Sequence, residues 1–239
     1  PLARETFMCK VEFEDSTPIF NPGMGMILPK QERPDLPWTP IKAKPVRDNF
    51  DSPTLGSEWY FVRIPQKAFH NLANGQLALT LQPEIVDSLV NSAMVIQKTR
   101  HHQFKATALL NFQTKKDNEQ AGLILYRTAN GYYSLLKDKS GIALIKKHLE
   151  KKETIEHIPY NKQKVFLSVA VNGTEIQFSF GETQEHMINI GGIQNVAPLS
   201  DNKFNKFNGT GVGVYATSNG KQSRNKALYD WFEYISDKN

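Results

Sequence analysis

Residues 165–180, VFLSVAVNGTEIQFSF, carry the pattern that decides the fold. Apolar side chains alternate with small or polar ones on both sides of an Asn172-Gly173 pair. A period of two residues sends successive side chains to opposite faces of a β-strand, and Asn-Gly suits the positive φ angles of a tight hairpin turn. The stretch therefore predicts a β-hairpin with one buried face, formed by Val165, Leu167, Val169, Val171, Ile176, Phe178 and Phe180.

Short apolar runs of strand length recur on both sides of that hairpin, from Arg47 onward. They lie at 59–62, 77–81, 94–96, 104–112, 122–126, 132–136, 142–145, 212–216 and 228–235. Four further Asn-Gly pairs punctuate the chain, beginning at Asn74, Asn130, Asn208 and Asn219. No segment keeps a 3.6-residue period and no blade-sized repeat occurs, which argues against long helices and against a propeller. We expect an all-β, two-sheet sandwich of jelly-roll type.

The first 46 residues differ from the rest in composition. Residues 7–13 alternate like a half-buried strand, with Phe7, Val11 and Phe13 on one face. Seven prolines follow between residues 18 and 45, and each fixes φ and removes a backbone donor. We interpret residues 1–46 as a strand and a Pro-rich extension that belong to another domain, and residues 47–239 as the sandwich. Because the extension also carries apolar side chains such as Trp38, we expect it to lie against a protein surface.

The composition of the chain argues against several classes of function. The net charge is +5, but the lysines are dispersed, which argues against nucleic-acid binding. No apolar run reaches the length of a membrane helix, and the first residues lack the pattern of a signal peptide. A single cysteine excludes an internal disulfide and leaves the compartment open. A bacterial periplasmic or secreted location is favoured over the cytoplasm, since many exported bacterial proteins also lack disulfides.

No catalytic residue is identified in this chain. The nucleophile, zinc-protease and phosphate-loop motifs are absent from the sequence, and no pair of acids is marked out for glycosidase chemistry. The acids at the two ends of the sandwich form a different candidate. Asp48 and Asp51 open it, while Asp230 and Glu233 lie in its last strand. If the first and last strands pair, Asp48, Asp51 and Asp230 predict a structural calcium site, with capping of surface hydrogen bonds as the alternative; no other cofactor is expected.

Aromatic side chains are the candidates for sugar contact. They are Trp59, Tyr60, Tyr126, Tyr132, Tyr133, Phe204 and Phe207. Most aromatics in a sandwich belong to its core. Phe204 and Phe207 differ because the surrounding residues 201–209 are polar and loop-like, so these two rings need a surface to pack on, such as a partner domain.

Three stretches resemble the two-domain β-xylosidases and α-L-arabinofuranosidases of glycoside hydrolase family 43. The first, which resembles the end of the catalytic propeller, comprises Arg4-Glu5-Thr6-Phe7, Val11-Glu12-Phe13-Glu14-Asp15 and Asn21-Pro22-Gly23. The second, Arg47-Asp48-Asn49-Phe50-Asp51-Ser52-Pro53 with Leu55 and Trp59, is similar to the start of the family's concanavalin-like sandwich. The third resembles its end and comprises 209–217 and Asp230-Trp231-Phe232-Glu233-Tyr234.

The resemblance implies a concanavalin A-like accessory domain of a glycosidase acting on xylan- or arabinan-type oligosaccharides. It implies that the catalytic acids lie in a propeller upstream of Pro1, that this propeller is the partner of the sandwich, and that the fragment alone is inactive. The segment 202–209 matches a family loop whose aromatic reaches the active-site rim, with Phe207 as first choice and Phe204 as second. Two alternatives stay open: a free-standing, lectin-like carbohydrate-binding module, and an interaction domain for a polyanionic partner.

Overall fold

The computed structural model describes residue 2 and residues 6–40, 46–200 and 208–236. The chain divides into two compact units, Arg4–Lys44 and a larger one made of Pro1–Ala3 with Pro45–Asn239. The described residues of the larger unit form fifteen of the strands given below and one helical element, the 3-10 turn Ala197–Leu199. Among the described residues, no helix has the length and apolarity that crossing a membrane requires.

The strands are numbered in chain order. They are β1 (Val11–Glu14), β2 (Thr17–Phe20), β3 (Arg47–Asp48), β4 (Trp59–Tyr60), β5 (His70–Ala73), β6 (Gln76–Thr80), β7 (Ala93–Lys98), β8 (Gln103–Asn111), β9 (Gln120–Thr128), β10 (Gly131–Lys137), β11 (Gly141–His148), β12 (Lys151–Pro159), β13 (Lys164–Asn172), β14 (Glu175–Gly181), β15 (Met187–Asn195), β16 (Gly211–Thr217) and β17 (Lys226–Ile235).

Two antiparallel sheets form the larger unit. The seven-stranded sheet has the order β12-β11-β10-β9-β16-β7-β4, and the eight-stranded sheet has the order β15-β14-β13-β8-β17-β6-β5, with β3 added beside β17. Asp48 of β3 lies opposite Phe232, so the first and last strands of the sandwich pair as expected. The prediction of an all-β, two-sheet sandwich is confirmed.

The main core lies between the two sheets. The hairpin β13–β14 shows how it forms: Val169 pairs with Phe178 across the hairpin, both point inward, and both are fully buried. Side chains from β9 and β16, such as Leu123 and Val214, meet them from the other sheet. Apolar alternation on facing strands thus converts directly into an interdigitated core.

A second apolar cluster covers the outer face of the seven-stranded sheet. It contains Ile96, Ile124, Tyr132 and Tyr215, and Val86 from the β6–β7 loop packs on it. The backbone N–H of Val86 donates to the Tyr215 hydroxyl (3.0 Å) and so fixes the loop over the sheet. The central strands are therefore buried on both faces, which explains why 122–126 and 132–136 are nearly continuous apolar runs.

The smaller unit contains the hairpin β1–β2. Val11 pairs with Phe20, and Phe13 pairs with Pro18. The first residues of the Pro-rich extension, 18–20, belong to strand β2. A two-stranded ribbon has two free edges, so a proline whose nitrogen points outward removes no ladder bond. Phe13 and Trp38 of this unit are exposed.

Candidate functional site

The residues that precede the segment 201–207 are held in place by the sandwich. The 3-10 turn Ala197–Leu199 packs Leu199 into the main core, and the side chain of Asn195 accepts a hydrogen bond from the Ala197 backbone N–H (2.8 Å). Phe204 and Phe207, the predicted rim residues, lie outside the described residues, and their role stays a prediction.

The residues that follow the segment are also held in place by hydrogen bonds. Asn208 donates from its side-chain amide to the Arg127 carbonyl (2.7 Å), and Lys98 donates to the Gly209 carbonyl (3.4 Å). The Thr99 backbone N–H donates to the Thr210 carbonyl (3.0 Å). Both flanks of the segment are thus held by the sandwich.

A cavity of about 690 Å³ lies beside the end of this segment. It is lined by Val62, Arg63, Asp87, Leu89, Tyr126, Arg127, Thr128, Ala129, Asn130, Leu149 and Asn208. These residues come from five places in the chain: the β4–β5 loop, the β6–β7 loop, the end of β9 with the β9–β10 turn, the tip of the β11–β12 hairpin, and Asn208 shortly before β16. The lining combines apolar side chains with amide, hydroxyl and guanidinium groups.

Positive charge dominates the cavity wall. Arg127 is fully buried, and burial lowers the pKa of its guanidinium below the usual value. Burial, followed by the charge of Arg127, lowers the pKa of the neighbouring Lys98. Asp87 accepts a hydrogen bond from the Tyr132 hydroxyl and lies 3.4 Å from the Lys152 ammonium.

The residues that line the cavity are suited to binding a surface or ligand rather than to hydrolysing a glycosidic bond. Asp87 is the one acid among the described residues that line the cavity, whereas a glycosidase needs two carboxyl groups on either side of the bond. Its oxygens are already engaged by Tyr132 and Lys152. The cavity and the adjoining segment therefore form a candidate interaction surface.

Comparison with known proteins agrees with the architecture. The sequence profile of the family described as "Beta xylosidase C-terminal Concanavalin A-like domain" matches residues 47–235, which is most of the chain. The chain belongs to this family of C-terminal domains of glycoside hydrolase family 43. The fold prediction of a concanavalin A-like sandwich is thereby confirmed, as is the resemblance to family 43.

Relatives of this family 43 domain extend beyond the matched region. A "Non-reducing end alpha-L-arabinofuranosidase BoGH43B" of Bacteroides ovatus is 30% identical over 98% of this chain and 45% of its own length. A xylosidase/arabinosidase of Butyrivibrio fibrisolvens is 27% identical over 97% of this chain and 46% of its own length. The crystal structure of the GH43 BlXynB protein from Bacillus licheniformis superposes with a TM-score of 0.88 at 27% identity, over 98% of this chain and 47% of that one. The chain thus spans about half the length of these relatives.

The family 43 domain uses its described aromatics mainly as core. Trp59, Tyr126, Tyr132 and Tyr133 are buried, and Tyr60 is half-buried against the outer cluster. None of the described aromatic side chains of the larger unit is exposed. A lectin-like module needs an open aromatic platform, and the described part of the sandwich does not offer one.

The acids at the two ends of the sandwich make hydrogen bonds to protein donors. Asp48 accepts from the Phe50 backbone N–H and from the Trp59 indole N–H, both at 2.8 Å. Asp230 accepts from Gln76 and from Lys164. No group of three His, Cys, Asp or Glu side chains that could hold a metal occurs in the described part of the chain.

The calcium site at Asp48, Asp51 and Asp230 stays a prediction, and these hydrogen bonds are a competing use of the same oxygens. Thermal unfolding with calcium and with EDTA tests it. A calcium-dependent rise in Tm that Asp51→Asn removes would support the site, because a ligand that binds the native state raises its stability. An unchanged Tm would leave these acids as hydrogen-bond acceptors alone.

Most of the residues that line the cavity were not predicted as site residues from the sequence. Arg63, Asp87, Leu89 and Leu149 come from loops up to about ninety residues apart, so no spacing connects them. The one usable signal is Leu149, an apolar residue at a hairpin tip between charged neighbours.

Proposed function

We propose that this chain is the C-terminal accessory domain of a glycoside hydrolase family 43 enzyme that acts on xylan- or arabinan-type oligosaccharides. The observation that carries the proposal is the family match over residues 47–235 in a chain that spans only about half the length of its xylosidase and arabinofuranosidase relatives. In this proposal the catalytic acids lie in the other half of the protein. Residues 1–46 are the end of that catalytic propeller and its Pro-rich exit.

The accessory domain packs on the propeller and shapes the rim of its active site through the segment 201–207. Two anchored flanks, at Leu199 and Asn208, support this role because they fix where the loop leaves and rejoins the sandwich. The location proposed for the parent enzyme is the bacterial periplasm or the exterior of the cell. The single cysteine of this chain is compatible with that location, because many exported bacterial proteins lack disulfides.

In the complete enzyme, Phe207→Ala is expected to change kcat/KM for aryl xylosides or arabinosides by about tenfold. Removing a buried aromatic contact costs roughly 1.5 kcal/mol or more, which is about a factor of ten in rate. Steady-state kinetics on both substrates measure it. Phe204→Ala is expected to have the smaller effect, and Asn202→Ala in the same segment is the control. Kinetics that stay unchanged in both Phe variants would contradict a rim role.

The isolated chain is expected to show no turnover of the same substrates. Robust activity that disappears when one of its own acids is substituted would contradict the accessory assignment and would place a catalytic site in this domain.

A further inference from the structure

Five Asn-Gly pairs lie at turns and strand ends of the sandwich, at residues 74–75, 130–131, 172–173, 208–209 and 219–220. In such a pair the backbone nitrogen of glycine can attack the side-chain amide of the preceding asparagine, because glycine has no side chain to obstruct the approach. The attack requires that the asparagine side chain can turn toward this nitrogen and that the glycine N–H is free of a hydrogen bond. The contacts of each pair therefore decide which one can react.

Two hydrogen bonds hold the pair at 172–173. The Asn172 side-chain oxygen accepts from the Gln103 amide (2.9 Å), and the Gly173 N–H donates to the His102 carbonyl (2.9 Å). Neither reacting group can move without breaking a hydrogen bond, so this pair is protected.

The pair at 219–220 is also held at both reacting groups. The Asn219 amide donates to the Asn118 carbonyl (2.8 Å) and to the Gln120 side chain (3.1 Å). The Gly220 N–H donates to the Pro83 carbonyl (2.8 Å). Both groups are thus fixed in the folded chain.

The pairs at 208–209 and 130–131 are protected in other ways. The Asn208 amide donates to the Arg127 carbonyl (2.7 Å), and Gly209 is buried. Gly131 is buried and begins β10, which pairs with a strand on either side. Because buried and paired backbone opens rarely, Asn208 is restrained by its side chain and Asn130 by the backbone that follows it.

The pair at 74–75 has none of these restraints. It forms the two-residue turn of the β5–β6 hairpin, with φ angles of +54° at Asn74 and +66° at Gly75, as a type I′ turn requires. Asn74 is exposed, and within the described residues no hydrogen bond involves its side chain or the Gly75 N–H. The strand β5 is the edge of its sheet, so this hairpin opens at a lower free energy than the central strands.

We infer that Asn74 is a site of spontaneous deamidation, with water as the co-reactant. The Gly75 nitrogen gives up its proton to solvent and forms a bond to the side-chain carbonyl carbon of Asn74. The bond from this carbon to the amide nitrogen breaks, and ammonia leaves with a proton from solvent. Water then opens the cyclic imide at either carbonyl, which yields an aspartate or an isoaspartate whose side-chain carbon has entered the backbone. The site belongs to the sandwich alone and is independent of the proposed function.

Either product changes the first part of the sandwich. The turn lies against the β3–β4 loop, because a Cβ atom placed on Gly75 would be 3.1 Å from Asp51 Oδ1. Both products add a negative charge to this turn, close to the carboxyl group of Asp51, and like charges repel each other. The isoaspartate also lengthens a two-residue turn whose register sets Ala73 opposite Gln76. The pairing of β5 with β6 is therefore the first contact that the reaction weakens.

The test incubates the folded full-length polypeptide in mildly alkaline buffer and follows each Asn-Gly pair by peptide mass spectrometry. Deamidation replaces an amino group by a hydroxyl group, and fragmentation of the peptides locates this change. We expect Asn74 to convert at least about tenfold faster than the other four asparagines, because breaking one hydrogen bond before reaction slows it by about that factor. Hydrogen exchange on the aged protein should show lost protection in β5 and β6, with β8 unchanged.

The same polypeptide unfolded in urea is the matched control, because it has lost the hydrogen bonds of the fold and keeps the five dipeptides. All five pairs should then react at similar rates. Asn74→Asp keeps the turn preference and should abolish the early mass increase of the folded protein. An Asn74 that stays intact in the folded protein and converts only in urea overturns the inference, and so does conversion of all five pairs at equal rates in the folded protein.

Discussion

Glu119→Ala is expected to lower the free energy of unfolding of the sandwich by about 3 kcal/mol. Glu119 is 1% exposed, and its two oxygens gather donors from two loops. The backbone N–H of Lys115 and the amide of Asn225 donate at 2.7 Å, the Ser223 hydroxyl donates at 2.7 Å, and the Lys116 N–H donates at 3.3 Å. Alanine would leave these donors without their acceptor and would remove the buried part of the contact between the β8–β9 loop and the β16–β17 loop, whose other hydrogen bonds include Asn118 to the Ser218 carbonyl.

The same carboxylate predicts a dependence on pH. Burial raises the pKa of Glu119, but the four hydrogen bonds together outweigh burial and leave its pKa below the usual value. A group with a lowered native pKa stabilises the fold above its unfolded pKa, and this contribution is lost as the pH falls through the native value. Wild-type stability should therefore drop below about pH 4 more steeply than that of Glu119→Gln.

Urea unfolding followed by intrinsic fluorescence measures both effects. Asp117→Asn is the matched control, because Asp117 is two residues away and forms an exposed ion pair with Lys139. Exposed ion pairs contribute little, so this control should change stability by less than about 0.5 kcal/mol. Equal effects of the Glu119 and Asp117 variants would mean that the buried hydrogen bonds do not hold the two loops.

Gly122→Ala is expected to destabilise the sandwich by about 3 kcal/mol or more. Gly122 lies in β9 between Leu136 of β10 and Tyr215 of β16. A Cβ atom at this position would lie 2.0 Å from the Leu135 carbonyl oxygen, and a backbone atom in a central strand cannot move aside as a flexible side chain can. The carbonyl of Gly122 also accepts from the buried Tyr229 hydroxyl (2.9 Å), so a displaced strand would lose this bond too.

The control for Gly122→Ala is Gly173→Asn. Gly173 has a φ of +61° and nothing within 4 Å of its added Cβ, and Asn tolerates the left-handed region. We expect this change to stay within about 0.5 kcal/mol. Chemical unfolding of both variants measures the difference. A Gly122→Ala variant as stable as the wild type would show that the sheet can shift at this point.

The sequence predicted the strands that bury an apolar face. All eleven apolar runs overlap strands of the structure, including 165–171 and 176–180, because their side-chain period matches the pleat. The edge strands β5, β12 and β15 were missed. The strand β5 is only four residues long, β12 has charged residues on both faces and a register shift against β11, and β15 is interrupted by Gly191 and Gly192, both with positive φ.

The site was less predictable than the fold. The polar segment 201–209 includes Asn208, which lines the cavity, while the rim role of Phe204 and Phe207 stays a prediction. The rest depends on which loops the two sheets bring together, and Arg63, Leu89 and Leu149 meet only after folding. Nothing in the sequence marks Glu119 as a buried acceptor, because its partner Asn225 is more than one hundred residues away along the chain.

The last strand of the sandwich, β17, has a consequence for synthesis on the ribosome. It occupies an interior position of its sheet, between β8 and β6, and also pairs with β3 at the start of the sandwich. The strands β6, β8 and β3 can pair with β17 only after it has emerged from the exit tunnel. The eight-stranded sheet is therefore incomplete until translation has passed Ile235. Until then the edges of β6 and β8 that pair with β17 stay unpaired, and the nascent chain depends on chaperones or on rapid completion.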